Sequence, residues 1–242
     1  MLLETKNSII EALNGDVTVE TLYVQKGSFD NTTQKAITLA RSKNVKVMIL
    51  PEDAFKAKSA TGRARGIMAI ITEFVYADLK KMTEDALSSG KDATIVLLDG
   101  VEDPHNLGAI IRVADCSGAN GVVIPKHRSA SVNEVVIKTS AGATAHVPVS
   151  KVTNINDAIR YLKEQGFFIV SADMGGTSIY DTDLTGNIGL VIGGEGEGIH
   201  ELVKKLSDKV VSIPQLGKIN SLNASVATGI ILYESVRQKG LR

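Results

Sequence analysis

The chain has a single cysteine, Cys116, and no tryptophan among its 242 residues. One thiol excludes an internal disulfide and any cysteine-rich zinc site, which fits a reducing cytosol. Charge of neither sign dominates, because 27 Lys and Arg balance 27 Asp and Glu. That balance argues against a protein that grips nucleic acid by bulk charge, yet it leaves room for local basic patches. No apolar run approaches the roughly 20 residues needed to span a bilayer. The N-terminal segment is broken by Glu4, Lys6 and Glu11, so it carries no signal-peptide core. These absences predict a soluble, cytoplasmic protein with no membrane partner and no metal. At 43% hydrophobic and 22% charged residues the chain is globular, with length for one large or two modest domains.

Apolar periodicity divides the chain. In residues 1–76, "NSIIEALNGD" reads as a helix stopped near Asn14-Gly15. "VTVETLYVQ" reads as a strand, and "NTTQKAITLARSKN" as a helix capped by Asn31 or Thr32. "VKVMIL" is expected as a buried strand stopped by Pro51, and "GIMAIITEF" as another strand. Residues 77–92 are polar, end in Ser-Ser-Gly, and read as a helical linker. From 93 to 242, apolar strands such as "ATIVLLD", "GVVIP" and "IGLVIGG" alternate with helical segments and end in a long helix. This pattern implies an α/β domain whose parallel sheet is covered on both faces.

The segment "VIGGEGEGIH", residues 191–200, sets four glycines and two glutamates behind an apolar strand. Phosphate loops have this glycine content, but Ile199-His200 stand where a P-loop needs Lys-Ser/Thr. The dinucleotide fingerprint fails as well, since Ile199 occupies its third glycine position. Glu195 and Glu197 would also repel a pyrophosphate. The glycines still permit close backbone approach, and the carboxylates suit a ligand with hydroxyls or positive charge, such as S-adenosylmethionine. A tight surface loop with solvated glutamates is the plainer alternative.

Two further stretches bear on that choice. In "DPHNLGAIIRVADCSGANG", Leu107, Ile110, Ile111 and Ala114 form a helical stripe, with His105 or Asn106 near the N-cap. Arg112 points away from the stripe, and Gly108 is expected to leave space for a ligand beside it; pairing with Asp115 is the alternative. "SIPQLGKINSLNASVATGIILYESVRQKG" places Ser221 and Asn223 at a helix start, where ordinary capping is one reading. The helix beyond is apolar almost all round, so burial on two faces and a subunit interface are expected.

Together these three segments resemble the SpoU (TrmH-like) RNA 2′-O-ribose methyltransferases of the SPOUT superfamily, over residues 93–242. Residues 1–76 look like the L30e-like RNA substrate-binding domain found in ribosomal-RNA members. The resemblance implies a C-terminal trefoil knot that binds S-adenosylmethionine, and a homodimer. By motif position it implies catalytic roles for Asn106, Arg112, Glu195, Ser221 and Asn223. It implies cofactor contacts at Ile192, Gly193 and Gly196, with Ile213, Leu216 and Leu222 around the adenine. The usual Gly-Asn-Glu is here Gly193-Gly194-Glu195, so any role of that Asn is absent.

The implied reaction is attack of a ribose 2′-oxygen on the sulfonium methyl. Guanidinium groups hold their proton, so Arg112 suits stabilisation of the developing alkoxide better than general-base work. The expected substrate is a guanosine in large-subunit (23S) ribosomal RNA; tRNA methylation, or an idle RNA-binding assembly factor, is the alternative. DNA is not an expected partner. RNA contacts are expected at Arg63 and Arg65, in a mobile basic loop with Lys56 and Lys58 and no acid nearby, and at Lys126 and Arg128. With 4% aromatics, RNA shape rather than a long single strand is the expected target.

Overall fold

The computed structural model describes residues 1–14, 19–71, 74–196, 198–218 and 221–240. The chain separates into two compact units, Met1–Val75 and Tyr76–Arg242.

In the first unit the order is β1 (Leu2–Leu3), α1 (Lys6–Asn14), β2 (Val19–Gln25), α2 (Asn31–Ser42), β3 (Lys46–Leu50), α3 (Glu52–Lys58) and β4 (Ile67–Ile71). The sheet runs β1-β4-β2-β3, with β2 parallel to β3 and antiparallel to β4. Ile9, Ala12 and Leu13 of α1 and Ala36, Ile37 and Ala40 of α2 recur at helical spacing and are buried. Two expectations change. The cap of α2 is Asp30, whose carboxylate accepts from Thr33 N at 2.8 Å, so the helix starts ahead of the expected Asn31 or Thr32. And β3 is not buried: it is the edge strand, with Ile49 53% exposed, because only β2 flanks it. The expected stop at Gly15 and the strand residues Val17, Thr18, Thr72 and Glu73 lie outside the described residues.

The second unit contains α4 (Leu79–Ser88), β5 (Thr94–Asp99), α5 (Pro104–Cys116), β6 (Gly121–Pro125), α6 (Glu134–Thr139), β7 (Val149–Val152) and α7 (Ile155–Glu164). It continues with β8 (Phe168–Ser178), β9 (Ile188–Gly193), α8 (Glu201–Leu206), β10 (Lys209–Ser212) and α9 (Ala224–Gln238). Six strands lie in the order β10-β8-β9-β5-β6-β7, and every neighbouring pair is parallel. Every residue of β5 is buried, as expected for a central strand covered on both faces. The stretch read as a linker holds α4, whose Met82 and Ala86 pack into the same core as Ile95, Leu97 and Ile159. Strand β8 pairs with β10 on either side of a break, Val210 with Ser171 and Val211 with Thr177, so residues 172–176 leave the ladder.

Helix α5 begins at Pro104, whose missing N–H costs nothing in a first turn. Its cap is Asp103, which accepts from His105 N at 3.0 Å, rather than His105 or Asn106. Leu107, Ile110, Ile111 and Ala114 are fully buried and Arg112 is exposed. Gly108 leaves no room for a ligand: a Cβ there would lie 2.6 Å from Thr139 Cβ and 3.0 Å from the Val136 carbonyl oxygen. The space belongs to α6. Helix α9 is covered on one face, by Thr228, Ile231, Leu232 and Ser235, while Val226 and Tyr233 on the other are each 49% exposed. Among the described residues, no helix is long and apolar enough to cross a membrane.

Candidate active site

The chain leaves β5 toward β6 and β7 on one side, and later strands fill the other side, with β9 next to β5. In open α/β sheets this switch point, at the carboxyl ends of the strands, forms a natural crevice. Asp99 and Gly193 are register partners at those ends. The Asp99 carbonyl accepts from Gly194 N at 3.0 Å. Its buried carboxylate accepts from His200 N at 2.8 Å and lies 2.9 Å from His200 Nδ1. One residue of β5 therefore holds both ends of the glycine loop. Gly193 and Gly194 are required by this closure, since a Cβ on either would overlap the backbone of Gly198 or Gly100. Gly196 has open space where a side chain would go.

Between those anchors the loop presents Glu195 to two amides. Asn106 Nδ2 donates to Glu195 Oε1 at 2.7 Å, and Asn223 Nδ2 donates to the same oxygen at 3.1 Å. Asn223 Nδ2 also donates to Asn106 Oδ1 at 2.8 Å. A carboxylate oxygen only accepts here, so both amides turn their NH2 groups inward. The other end of Asn223 caps α9: its Oδ1 accepts from Ser225 N at 2.9 Å and Val226 N at 3.4 Å. Capping and site-building are thus done by opposite ends of one amide.

Two cavities adjoin this Asn106–Glu195–Asn223 wall, Asn106 lining one and Asn223 the other. One cavity, of about 580 Å³, is lined by Ile192, Val211, Ile213 and Leu222 and by the polar groups of Asp173, Ser212, Gln215 and Ser221. Its size and mixed lining suit a small organic ligand. The other, of about 460 Å³, is lined by Asp99, Glu102, Asp103, Asn106, Arg128 and His200. Glu195 and the backbone of Gly194, Gly196 and Gly198 border both. Arg128 sits at φ 53°, a left-handed conformation costing about 1 kcal/mol outside glycine.

The sequence-predicted residues separate on this geometry. Asn106, Glu195 and Asn223 are joined by hydrogen bonds, and Ser221, Ile192, Gly193, Gly196, Ile213 and Leu222 line the larger cavity. Leu216 does not; it is 99% exposed and outside both cavities. Arg112 follows Asn106 by about one and two-thirds helical turns, lines neither cavity, and makes no ion pair with Asp115. Lys126 is exposed and also outside both. Glu197 lies outside the described residues. The reading from sequence missed Asp99, His200 and Asp173. An acid closing an apolar strand was the available signal for Asp99. Asp173, paired with Lys204, lies in the segment where β8 leaves its ladder, which no local pattern announces.

In the first unit the basic loop is fastened by hydrogen bonds and has acids beside it. Glu4, only 9% exposed, accepts from Ser59 Oγ at 2.8 Å, Ala60 N at 2.6 Å, Thr61 N at 3.2 Å and Thr61 Oγ1. Burial pushes the Glu4 carboxyl up, but the bonds from Thr61, Ser59 and Ala60 outweigh it and hold it below the usual carboxylate range. Lys56 pairs with Glu52 at 2.6 Å, and Lys58 lies 5.0 Å from the Tyr23 ring centroid. Arg63 and Arg65 are exposed and make no ion pair among the described residues.

A parallel sheet with a ligand crevice at its switch point, walled by a carboxylate and two amides, defines an α/β enzyme class. Comparison with known proteins narrows it. Residues 93–233 match the SpoU rRNA methylase family, and residues 2–77 match the RNA 2′-O ribose methyltransferase substrate-binding domain. A Bacillus subtilis (strain 168) protein assigned to the TrmH family of tRNA/rRNA methyltransferases is 36% identical over 97% of this chain and 94% of its own. The SpoU methyltransferase AviRb from Streptomyces viridochromogenes, in complex with the cofactor AdoMet, superposes with a TM-score of 0.77 at 26% identity, covering 99% of this chain and 90% of that one. A TrmH/SpoU tRNA modifying enzyme of A. aeolicus gives a TM-score of 0.57 at 31% identity over 67% of this chain and 84% of that one. The chain belongs to the SpoU rRNA methylase family and is an RNA methyltransferase.

Proposed function

We propose that the protein methylates the 2′-hydroxyl of a guanosine in large-subunit ribosomal RNA, using S-adenosylmethionine, as a cytoplasmic homodimer. The observation that carries this reading is the wall shared by two cavities, since methyl transfer needs donor and acceptor on opposite sides of one reacting centre. The larger cavity fits the cofactor: aliphatic residues for a purine, open backbone at Gly196, and the carboxylate of Glu195 for cationic groups. When bound there, the cofactor supplies an electrophilic methyl on sulfonium. The preference for ribosomal over transfer RNA rests on the two-unit layout and on the family matched.

The chain's own groups then have defined tasks. Asn106 and Asn223 fix Glu195, and Glu195 orients the ribose hydroxyl or an incoming guanidinium. Arg128, in the second cavity, holds the phosphate beside the target ribose. Arg112 stabilises the oxyanion growing on the 2′-oxygen. It lies outside both cavities of its own chain, so a second copy delivers it. The half-exposed Leu222, Val226 and Tyr233, on and beside α9, supply an apolar seam for that copy.

Calorimetric titration of S-adenosylmethionine into the wild type and R112A, beside transfer assays on ribosomal RNA, tests this reading. R112A is expected to bind cofactor like the wild type and to lose about 10²-fold or more in transfer. Absence of cofactor binding at millimolar concentration, or wild-type turnover in R112A, would refute it. Mapping 2′-O-methyl positions in total RNA with and without the protein identifies the nucleotide.

A further inference from the structure

Phe29 has no part in the core or in the crevice, and 51% of it is exposed. Isolated exposed apolar residues are ordinary on protein surfaces. What distinguishes Phe29 is its seat and its neighbours. On its N-terminal side the chain turns tightly, with Ser28 N donating to Gln25 O at 3.1 Å and Gly27 at φ 89°. On its C-terminal side Asp30 caps α2 and pairs with Lys6. The backbone is thus tied on both sides of the ring.

The same turn is fastened to the basic loop. Gln25 N donates to Gly66 O at 2.8 Å, and the Ser28 side chain fills the space where Gly66 would carry a Cβ. Phe29 and Arg65 are therefore each one residue from a single contact. Arg63 and Arg65 bring two guanidinium groups without an ion pair among the described residues, and the exposed Lys26 of the turn adds a third such cation. Two acids of these segments are already engaged, Asp30 with Lys6 and Glu4 with the loop backbone.

We infer that Phe29 is a stacking platform for one unpaired base of the RNA substrate, with Lys26, Arg63 and Arg65 on the flanking phosphates. This rests on the reading of the chain as an RNA 2′-O-methyltransferase and deepens it. Unpaired bases stack on aromatic rings while cations track the backbone, and sequence-tolerant recognition of loops and bulges uses that pairing. A single ring suits one splayed base in a structured RNA. It would give a chain with few aromatics a means of telling a loop from a plain duplex.

The absence of tryptophan makes the test direct. F29W places one tryptophan in the whole chain, excited apart from its five tyrosines, and F29A removes the platform from a half-exposed position without touching the core. Binding is measured with the full-length protein on two RNAs of equal length, a stem-loop and a blunt duplex. F29W is expected to bind the stem-loop like the wild type, with its fluorescence quenched by the stem-loop and unmoved by the duplex. F29A is expected to bind the stem-loop about tenfold or more weakly and the duplex normally, with S-adenosylmethionine titrating as in the wild type. Equal stem-loop affinity of F29A and wild type, or unquenched F29W with stem-loop bound, overturns the platform alone. If the wild type binds neither RNA while still binding the cofactor, the RNA-substrate reading falls and the platform falls with it.

Discussion

Asn106 spends its two amide ends on two different partners, donating to Glu195 and accepting from Asn223. Replacing NH2 by oxygen keeps the shape and inverts the chemistry. N106D sets a second carboxylate against Glu195 and removes the donor between that pair, leaving only the Asn223 NH2 to serve both, and two carboxylates sharing a site raise one another's proton affinity. The expected outcome is a loss of transfer of about 10²-fold at neutral pH. Part of the activity should return as the pH is lowered and one carboxyl takes up a proton. A pH profile identical in shape to the wild type would contradict this. The three residues of the wall were legible in the sequence because each lies in a short motif at a strand or helix end. Their mutual bonds were not, because 89 and 117 residues separate Asn106 from its two partners. Phe29 was passed over for the opposite reason: sparse aromatics were counted, and the placement of each was not visible.

Helices and strands were legible wherever burial repeats at a fixed period, as in α5 and β5, but the partner of each face was not. Gly108 shows the difference. The helical spacing sets it one turn before Arg112 on the same side, yet Gly108 is buried, and what fills the space above it is α6, not a ligand. G108A is therefore expected to force α5 and α6 apart and to cost about 1–3 kcal/mol, read as a lowered midpoint in thermal or denaturant unfolding. An unchanged midpoint would show that Thr139 swings aside without cost. The same limit explains β3, whose apolar residues suggested burial on both faces although the sheet ends there. It explains α9 too: its amphipathic signal is weak, and a single chain covers only one of its two apolar faces.

At the scale of the molecule, Arg112 is the proposed catalytic group that lines neither cavity of its own chain. If a second copy supplies it, two inactive variants should repair one another. After subunit exchange between R112A and E195Q, half the dimers are mixed, and each mixed dimer holds one site with both groups intact. Transfer should recover to about a quarter of the wild-type rate, with each variant alone inactive. No recovery in a demonstrably mixed population would place Arg112 in the site of its own chain.

The wall shared by the two cavities has a thermodynamic corollary. Glu195 borders both, and its position is set by bonds that either occupant can disturb. To whatever extent filling one cavity shifts that carboxylate, affinity on the other side changes, and reciprocity requires the two effects to be equal. RNA and cofactor would then not bind as strangers: each would report, through one side chain, whether the other has arrived.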